Sequence, residues 1–451
     1  MITTNRREFL KKSTITTAGA LMSVPFIRTG ETKSKANETI NIAVVGIRGR
    51  GIAHIRGFAE IPNVRVIALC DVDKRLFPKA IAEVEQKGGK QPKTYVDFRK
   101  LLENKDIDAV SISTPDHWHA LQTIWACQAG KDVYIEKPIS YTIEEGRKMV
   151  EAARKYHRVV QTGTQSRSSS IVQEAIRLLH DGVIGEIYMG RTIVFGFRPN
   201  IGHVKDSSIP EGVNWDLFLG PAPYRPFNEN RFHYKWHWFW DTSTTEFGNN
   251  GTHGVDVIRW AMGKRVHPEK IQCMGGFHIW DSDQEIPNVQ LGVFQYKDGK
   301  TIQVDVRSIY NNDEAGQKGG EFIYGSKGWM HITHTSYKTY FGKDNESGPS
   351  KTADDKSEPK DKNVIQEFKG TDGPHMANFI DCVRTRRWQD LNADILEGHL
   401  STTIMLLGNI AYRTGRTLKF NGRAEKFVDD NDANSYLTRQ YRQPYTLPEK
   451  I

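Results

Sequence analysis

The chain has 451 residues, of which 38% are hydrophobic and 26% are charged, and its formal net charge is +8. A chain of this length can bury a large core without disulfide or metal staples, and it is long enough for two domains. Residues 1–30 carry five cations against one acid, so they hold +4 of the +8. The other +4 is spread too thinly for a nucleic-acid-binding face, which excludes nucleic acid as a partner.

The N-terminal residues have the pattern of an export signal. The string R-R-E-F-L-K-K from Arg6 precedes an apolar stretch at 13–27. A cationic segment before a short apolar segment is typical of a signal peptide, whereas a spanning helix needs about 20 apolar residues. The string resembles the twin-arginine signal, which implies export of a folded, cofactor-loaded protein to the periplasm by the twin-arginine machinery. We assign residues 1–37 to signal and linker; the alternative is a basic amphipathic helix of the mature protein.

Strands and helices alternate from residue 38 to residue 163. Apolar runs of strand length occur at 40–45, 64–71, 106–114, 133–136 and 159–163. Helices are predicted at 52–61, 119–130 and 142–155, the last with a capping box formed by Thr142 and Glu145. This alternation predicts an α/β fold with a doubly wound parallel sheet, a Rossmann domain.

The remainder, 164–451, predicts a second α/β domain. Alternating segments at 186–195, 289–296 and 301–308 suit an open, largely antiparallel sheet with one packed face. Helices are predicted at 170–180, 253–262, 375–384 and 395–413, and a polar stretch at 343–363 predicts a surface loop. The four cysteines are widely spaced, so we interpret them as buried free thiols, although oxidation would allow three pairings.

A glycine turn follows the first strand and reads Gly46-Ile47-Arg48-Gly49-Arg50-Gly51. The usual dinucleotide fingerprint is G-x-G-x-x-G, with the pyrophosphate at a helix N-terminus. Arg48 takes the middle position, where glycine lets the backbone approach the pyrophosphate, so Arg48 or Arg50 is expected to place a cation beside the phosphates. Asp71 ends the second strand, where a carboxylate accepts hydrogen bonds from the ribose hydroxyls of NAD and disfavours NADP.

Several strings resemble one family in order and spacing. They are V-G-I-R-G-R-G-I-A-H, C-D-V-D, S-T-P-D-H-W-H and E-K-P, followed by G-N-N-G-T-H-G-V-D-V-I-R-W and L-G-N-I-A-Y-R-T-G-R. Together they resemble the glucose–fructose oxidoreductase, inositol dehydrogenase and rhizopine-catabolism (Gfo/Idh/MocA) family over nearly everything from residue 38. The resemblance implies a Rossmann domain, a C-terminal α/β domain with an open sheet, a carbohydrate substrate between them and a homo-oligomer.

Two residues are the predicted catalytic pair. The ammonium of Lys137 is expected to stabilise a substrate oxygen, with Glu136 holding it by charge pairing. His253 is the catalytic histidine by resemblance, and a histidine has the right pKa to take a hydroxyl proton near neutrality. Many relatives place an aspartate four residues earlier; here Asn249 can orient a hydroxyl but cannot relay a proton. His253 must therefore carry more of the proton path or share it with Lys137.

Further residues are expected around the cofactor and the substrate. By resemblance, Thr114 and Pro115 line the cofactor, and His119 lies near its nicotinamide end. Gln165 and Arg167 stand at the domain junction and are predicted hydroxyl binders.

Three tryptophans form a predicted substrate wall. Trp236, Trp238 and Trp240 alternate, so in an extended segment they share one face, on which a sugar ring could stack. The alternative is core packing or a subunit interface. No metal site is predicted, because the nearby metal-binding side chains would share a face only in a helix: His233, His237 and Asp241.

The leading hypothesis is a periplasmic, NAD-dependent oxidoreductase that moves a hydride between a sugar or glycoside hydroxyl and a tightly bound nicotinamide. A second is an NAD-dependent glycosidase that oxidises a ring carbon transiently, eliminates the aglycone and reduces again; Thr252-His253-Gly254 is similar to the T-H-G string of such relatives, without the tyrosine expected before it. The third is a non-enzymatic sugar sensor, against which Lys137 and His253 speak.

Overall fold

Six parallel strands form the first sheet of the computed structural model, which describes residues 39–309, 313–314, 316–317, 319–353 and 372–451. The sheet has the spatial order β3-β2-β1-β4-β5-β6. Its strands are β1 (Ile40–Val45), β2 (Val64–Cys70), β3 (Lys93–Tyr95), β4 (Ala109–Ile112), β5 (Asp132–Ile135) and β6 (Val160–Thr162). The order reverses between β1 and β4, where sheets of this kind open a ligand crevice. The predicted Rossmann domain is confirmed.

Five helices cover this sheet. They are α1 (Gly49–Ala59), α2 (Phe77–Gln86), α3 (Phe98–Leu102), α4 (Asp116–Gln128) and α5 (Ile143–Lys155). The predicted capping box is confirmed, because the Thr142 side chain accepts from the Glu145 amide and Glu145 reaches back. Helix α4 begins three residues earlier than predicted, directly after Pro115, so the polar residues of its first turn are helical.

Ten strands form the second sheet, in the order β14-β13-β12-β11-β7-β10-β9-β8-β15-β16. They are β7 (Ile187–Val194), β8 (Lys270–Gly276), β9 (Val289–Gln295), β10 (Thr301–Arg307), β11 (Gly319–Gly325), β12 (Gly328–Ile332), β13 (Ser336–Phe341), β14 (Glu346–Thr352), β15 (Leu418–Asn421) and β16 (Lys426–Phe427). Among the described strand pairs of this second sheet, only β7 and β10 run parallel. The prediction of a largely antiparallel sheet is therefore confirmed. The surface-loop prediction is wrong for 346–352, which forms β14; residues 354–363 lie outside the described residues.

Six helices occur in the described residues of the second half. They are α6 (Ser170–His180), α7 (Trp215–Leu219), α8 (Thr252–Ala261), α9 (Asp372–Thr385), α10 (Ile395–Thr414) and α11 (Asn431–Ser435). Helices α8 and α10 pack on one face of the ten-stranded sheet and bury its inward residues, such as Ile302 and Val304. In the described part of the chain, no helix is both long and apolar enough to cross a bilayer.

Later segments of the chain return to the first sheet. In α9, Phe379 packs edge-on against Phe58 and Tyr134 of the Rossmann core. Near the C-terminus, Tyr445 packs against Trp118 of α4 in the same edge-on manner. The predicted domain boundary at 163/164 falls directly after β6. Residues of α9 and of the C-terminal segment nevertheless pack against the Rossmann domain. All four cysteines are buried and unpaired, as interpreted from their spacing.

Candidate active site at the carboxyl edge of the first sheet

A cleft opens at the carboxyl ends of β1, β2, β4 and β5, and residues of the second half close its far side. Most of the predicted cofactor and substrate residues line it: Gly46, Arg48, Gly49, Arg50, Asp71, Thr114, Pro115, His119, Glu136, Lys137, Trp236 and Asn249. The crevice at the point of strand reversal is where such sheets bind nucleotides.

The glycine turn leaves room for a phosphate group. Gly46 has φ +78°, and a Cβ there would lie 2.7 Å from the Ser113 carbonyl oxygen. A Cβ at Gly51 would lie 1.8 Å from the Gly46 carbonyl oxygen, so these outer glycines are required by close packing. A Cβ at Gly49 would meet no atom within 4 Å among the described residues, and no side chain caps α1 there. The amides of the first turn of α1 therefore open onto the cleft, as an anion site requires.

Asp71 extends β2 into the cleft and braces the glycine turn. Its carboxylate accepts from the amides of Ile47 and Asp73, each at 2.9 Å. Burial raises the pKa of Asp71 to about 6, although these hydrogen bonds oppose the shift. A partly ionised carboxylate at the end of the second strand is suited to receive hydroxyl donors.

The two arginines of the glycine turn have different surroundings. The guanidinium of Arg50 donates from Nε to Glu136 at 2.8 Å and forks onto Asp372 with two bonds of 2.7 Å. Arg50 lines the cleft, but its guanidinium is engaged in these ion pairs. Arg48 is exposed, has extended backbone at the start of α1 and lines the cleft, so it is the arginine placed for a phosphate.

Lys137 does not form the predicted ion pair with Glu136. Its Nζ donates across the cleft to both oxygens of Asn249, at 2.6 Å to the carbonyl and 3.0 Å to Oδ1. The Glu136 carboxylate instead accepts from Arg50, His54 and Gln165, and only weakly from the Lys137 main chain at 3.4 Å. Burial lowers the pKa of Lys137, while the charge of Glu136 opposes that shift.

His253 lies in the first turn of α8, four residues after Asn249, and is only 7% exposed. Burial, followed by the charge of Lys137 and then His334, holds its pKa well below the ordinary value. The ring is therefore neutral at neutral pH, the form that can accept a proton. The His334 ring stands edge-on to it, with centroids 6.1 Å apart, and is within hydrogen-bonding distance of Ser166.

His119, which the resemblance predicts near the nicotinamide end, has contacts at both ring nitrogens. Its ring nitrogens lie 2.7 Å from the carbonyl oxygens of Pro138 and Thr114, so the ring ties the loops after β4 and β5 together. The Thr114 hydroxyl donates to Gln122, and Pro115 precedes α4. His119, Thr114 and Pro115 therefore form part of the wall of the cleft, and the contacts of His119 and Thr114 hold that wall in place.

The two predicted hydroxyl binders at the junction serve the framework instead. Gln165 is fully buried and donates to Tyr134 and Glu136. Arg167 is 7% exposed and forks onto Asp256 with bonds of 2.6 and 2.9 Å. Neither lines the cleft, so the structure gives no support to the prediction that they bind hydroxyls.

The prediction that three tryptophans form a substrate wall is wrong for two of them. Residues His233–Trp238 form a 3₁₀ turn, in which alternate side chains do not share a face. Trp236 lines the cleft and stacks on His237, with centroids 3.6 Å apart. Trp238 is 3% exposed within an aromatic core cluster, and Trp240 stacks on Tyr412. Only Trp236 of the three tryptophans reaches the cleft.

Glu246 was not found from the sequence. It is 3% exposed, and its carboxylate accepts from Arg198, Asn249 and Asn250. Burial by itself raises the pKa of Glu246, but Arg198 and the other donors outweigh it and hold the pKa below its ordinary value. The spacing of Glu246, three residues before Asn249, is the feature of the sequence that could have indicated a contact between the two side chains.

One group of metal-ligating side chains occurs within the described residues, outside the cleft: His267, His399 and Glu425. Both rings lie close to the same carboxylate oxygen, at 2.9 and 2.7 Å. Arg147 also forks onto that carboxylate and places a cation where an ion would bind. We interpret the group as a hydrogen-bonded tie between α10 and the β15–β16 hairpin.

Comparison with protein families matches both halves of the chain. Residues 40–164 match the model described as "Oxidoreductase family, NAD-binding Rossmann fold". Residues 200–447, more than half of the chain, match "Oxidoreductase family, C-terminal alpha/beta domain". The chain belongs to the Gfo/Idh/MocA oxidoreductase family and contains its NAD-binding Rossmann domain.

Individual relatives include two "Glycosyl hydrolase family 109" proteins. The one from Shewanella sp. (strain W3-18-1) is 27% identical over 208 residues, 41% of this chain and 45% of that protein. The one from Saccharopolyspora erythraea is 30% identical over 212 residues, 43% of this chain and 46% of that protein. The chain thus spans about half the length of the curated relatives it matches.

Solved structures share the fold over nearly their whole length. A levoglucosan dehydrogenase in complex with NADH and levoglucosan superposes with a TM-score of 0.64 at 16% identity, covering 85% of this chain and 99% of that one. The WlbA dehydrogenase from Bordetella pertussis, in complex with NADH and UDP-GlcNAcA, gives 0.62 at 20% identity with the same coverage. At these identities the likeness shows the fold alone.

Asp71→Asn is expected to weaken NAD binding roughly 10- to 100-fold, since a hydrogen bond to a charged group contributes about 1.5–3 kcal/mol. In the unchanged protein the carboxylate protonates as the pH falls through its pKa of about 6, so affinity should decline below that pH and be regained above it. Calorimetric titration of nucleotide-stripped protein across this range measures both effects.

The matched control is Asp97→Asn, because Asp97 lines the same cleft while Arg99 holds its pKa below the ordinary value against the effect of burial. This variant should keep the pH dependence. An Asp71→Asn profile that still declines toward acid would contradict the assignment.

Proposed function

We propose that the protein is a periplasmic, NAD-dependent oxidoreductase that transfers a hydride between a sugar or glycoside hydroxyl and a tightly held nicotinamide cofactor. The observation that carries this proposal is the position of Lys137. Its ammonium lies in the cleft of an NAD-binding domain and bonds to Asn249, four residues before the neutral ring of His253.

The residues present fit NAD. The uncapped first turn of α1 and the exposed Arg48 would hold the pyrophosphate, and Asp71 would hold the adenosine ribose. His119 and Pro115 would border the nicotinamide. When bound, NAD supplies the hydride acceptor or donor.

Lys137 and His253 perform the proton chemistry. An ammonium fixed at a hydroxyl oxygen stabilises the negative charge that grows on that oxygen as its hydrogen leaves. The neutral His253 ring lies four residues after Asn249, behind the lining of the cleft, and is the proposed acceptor of the hydroxyl proton. Trp236 offers the apolar face on which a sugar ring stacks.

The second candidate is a glycoside hydrolase that works by transient oxidation, elimination and reduction. The relatives from Shewanella and Saccharopolyspora favour it, since they are named as family 109 glycosyl hydrolases. The same Lys137 and His253 would serve the oxidation step, and the outcome differs only in whether the aglycone leaves. Nitrophenyl glycosides distinguish the two, since release of nitrophenol supports hydrolysis and a ketosugar without release supports the oxidoreductase.

Lys137→Met and His253→Asn are each expected to lower kcat/KM for the sugar about 10²- to 10⁴-fold, the usual contribution of a positioned acid or base. NAD affinity should change less than about threefold, because neither side chain belongs to the phosphate or ribose contacts. A panel of aldoses, polyols and glycosides, followed by nicotinamide absorbance, provides the assay.

The exposed Lys205→Met serves as the control and should behave like the unchanged protein. If Lys137→Met turned over a sugar at the unchanged rate, the proposed catalytic role would be wrong.

Export is proposed from the twin-arginine string and predicts a resident cofactor, because free NAD is not supplied outside the cytoplasm. Protein purified from the periplasm without added nucleotide should release nicotinamide on denaturation. Replacing both Arg6 and Arg7 with lysine should retain the protein in the cytoplasm, as immunoblots of cell fractions would show. Periplasmic protein without nicotinamide, or unchanged export of the variant, would contradict this proposal.

A homo-oligomer is proposed from the outward face of the ten-stranded sheet. Tyr188, Met274 and Leu291 stand on that sheet and are 54%, 78% and 43% exposed. Apolar side chains exposed along one sheet face mark a protein contact. Light scattering should give a multiple of the monomer mass, and Met274→Lys should lower it; a monomeric mass for the unchanged protein would end the proposal.

A further inference from the structure

The second half of the chain holds Lys137 through a π-helical turn. Residues Phe247–Gly251 form this turn directly before α8, and Asn249 lies in its middle. Wide turns of this type often occur at functional sites because they re-aim main-chain and side-chain groups. Here both the carbonyl oxygen and Oδ1 of Asn249 face Nζ of Lys137, at 2.6 and 3.0 Å.

The orientation of the Asn249 amide decides what Lys137 meets. An amide offers an acceptor on one side and a donor on the other. With Oδ1 toward the ammonium, Nδ2 points away, and it donates to Oε1 of Glu246 at 3.2 Å. With the amide reversed, an N–H group would face Nζ of Lys137 and another acceptor would face the carboxylate, so both contacts would become repulsive.

Glu246 can perform this task only as a carboxylate. Its Oε1 accepts from Asn249 and from Nε of Arg198 at 3.0 Å, and its Oε2 accepts from Asn250 at 2.6 Å and from Nη2 of Arg198 at 3.4 Å. Every neighbour named here is a donor. A glutamine in the same place would direct its own N–H₂ at one of them.

We propose that Glu246 is a positioning residue for the reaction: its buried carboxylate fixes the Asn249 amide so that Oδ1 holds the Lys137 ammonium at the reacting end of the cleft. Its relevance to turnover rests on the proposed function. The positioning itself does not, because the state of Lys137 can be measured without any sugar.

Glu246→Gln should release the amide of Asn249. The charged form of Lys137 then loses an acceptor, and it also loses the nearby negative charge of Glu246; both losses lower its pKa. A fall of one unit raises the neutral, reactive fraction about tenfold at a pH below the pKa. Competitive labelling of the purified protein with acetic anhydride, at several pH values and read by mass spectrometry at Lys137, measures this change.

A reciprocal swap tests the contact itself. In the double variant Glu246→Gln with Asn249→Asp, the new carboxylate faces Lys137 on one side and accepts from the new glutamine amide on the other. The double variant should return the labelling of Lys137 to the unchanged rate or below it. Asn249→Asp alone should not return the labelling to the unchanged rate, because the new carboxylate at position 249 and that of Glu246 would then face and repel each other.

Glu425→Gln is the matched control, since Glu425 is another part-buried carboxylate that accepts from several donors, outside the cleft. It should leave Lys137 labelling unchanged even where it lowers the melting temperature. NAD affinity reports whether each variant is folded, and Glu246→Ala, which removes both acceptor oxygens without adding a donor, provides a second variant where Glu246→Gln does not fold.

The proposal would be overturned if labelling of Lys137 in Glu246→Gln, or in Glu246→Ala where that variant replaces it, matched the unchanged protein. A double variant no better than Glu246→Gln would overturn it as well. These outcomes are separate from a failure of the proposed function. That failure would show as undiminished sugar turnover in Lys137→Met, whatever the labelling gave.

Discussion

The buried carboxylate of Glu136 holds together the elements that shape the cleft. It accepts from Arg50 and His54 of α1 and from Gln165 after β6, and Arg50 carries the connection on to Asp372 at the start of α9. Burial by itself raises the pKa of Glu136, but Arg50 and His54 outweigh it and keep the group ionised. Removing one partner from a buried pair costs about 3–5 kcal/mol, because the remaining charge is left uncompensated. The close approach leaves no room at Gly163, where a Cβ would lie 2.8 Å from this carboxylate.

The ammonium of Lys137 turns away from the adjacent Glu136. Oε1 of Glu136 accepts from Arg50, His54 and Gln165, and the lysine side chain has its acceptors elsewhere. It finds them in the π-helical turn before α8, across the cleft. The contact joins the two domains at the point where chemistry is proposed. A shift of α8 relative to the first sheet would therefore move the acceptors away from the ammonium.

The sequence predicts the parts of this arrangement that depend on local patterns. Five strands of the first sheet, the glycine turn and Asp71 follow from apolar runs and short spacings, and the structure places them accordingly. Strand β3 was not predicted, because its three residues are largely exposed and form no apolar run. Partner choice is different, because Arg50 and Asp372 are 322 residues apart and no local pattern links them. The alternation of Trp236, Trp238 and Trp240 is compatible with an extended strand or with a 3₁₀ turn, and tertiary packing decides between them. Strand β14 was missed because its residues are largely exposed and carry no apolar periodicity.

The surroundings of Lys137 and His253 explain why an uncharged residue suits position 249. Burial lowers the pKa of both groups, and the charge of Lys137 lowers that of His253 further. The charge of Lys137 thus opposes a positive charge on the His253 ring and favours the neutral form of the ring. A carboxylate at 249 would add a negative charge beside Lys137 and favour the charged form of that lysine. Asn249 supplies an oxygen to Lys137 without adding a charge. Glu246 lies behind the amide, where it pairs with Arg198 and accepts from Nδ2 of Asn249, and it thereby sets the direction of the Asn249 side chain.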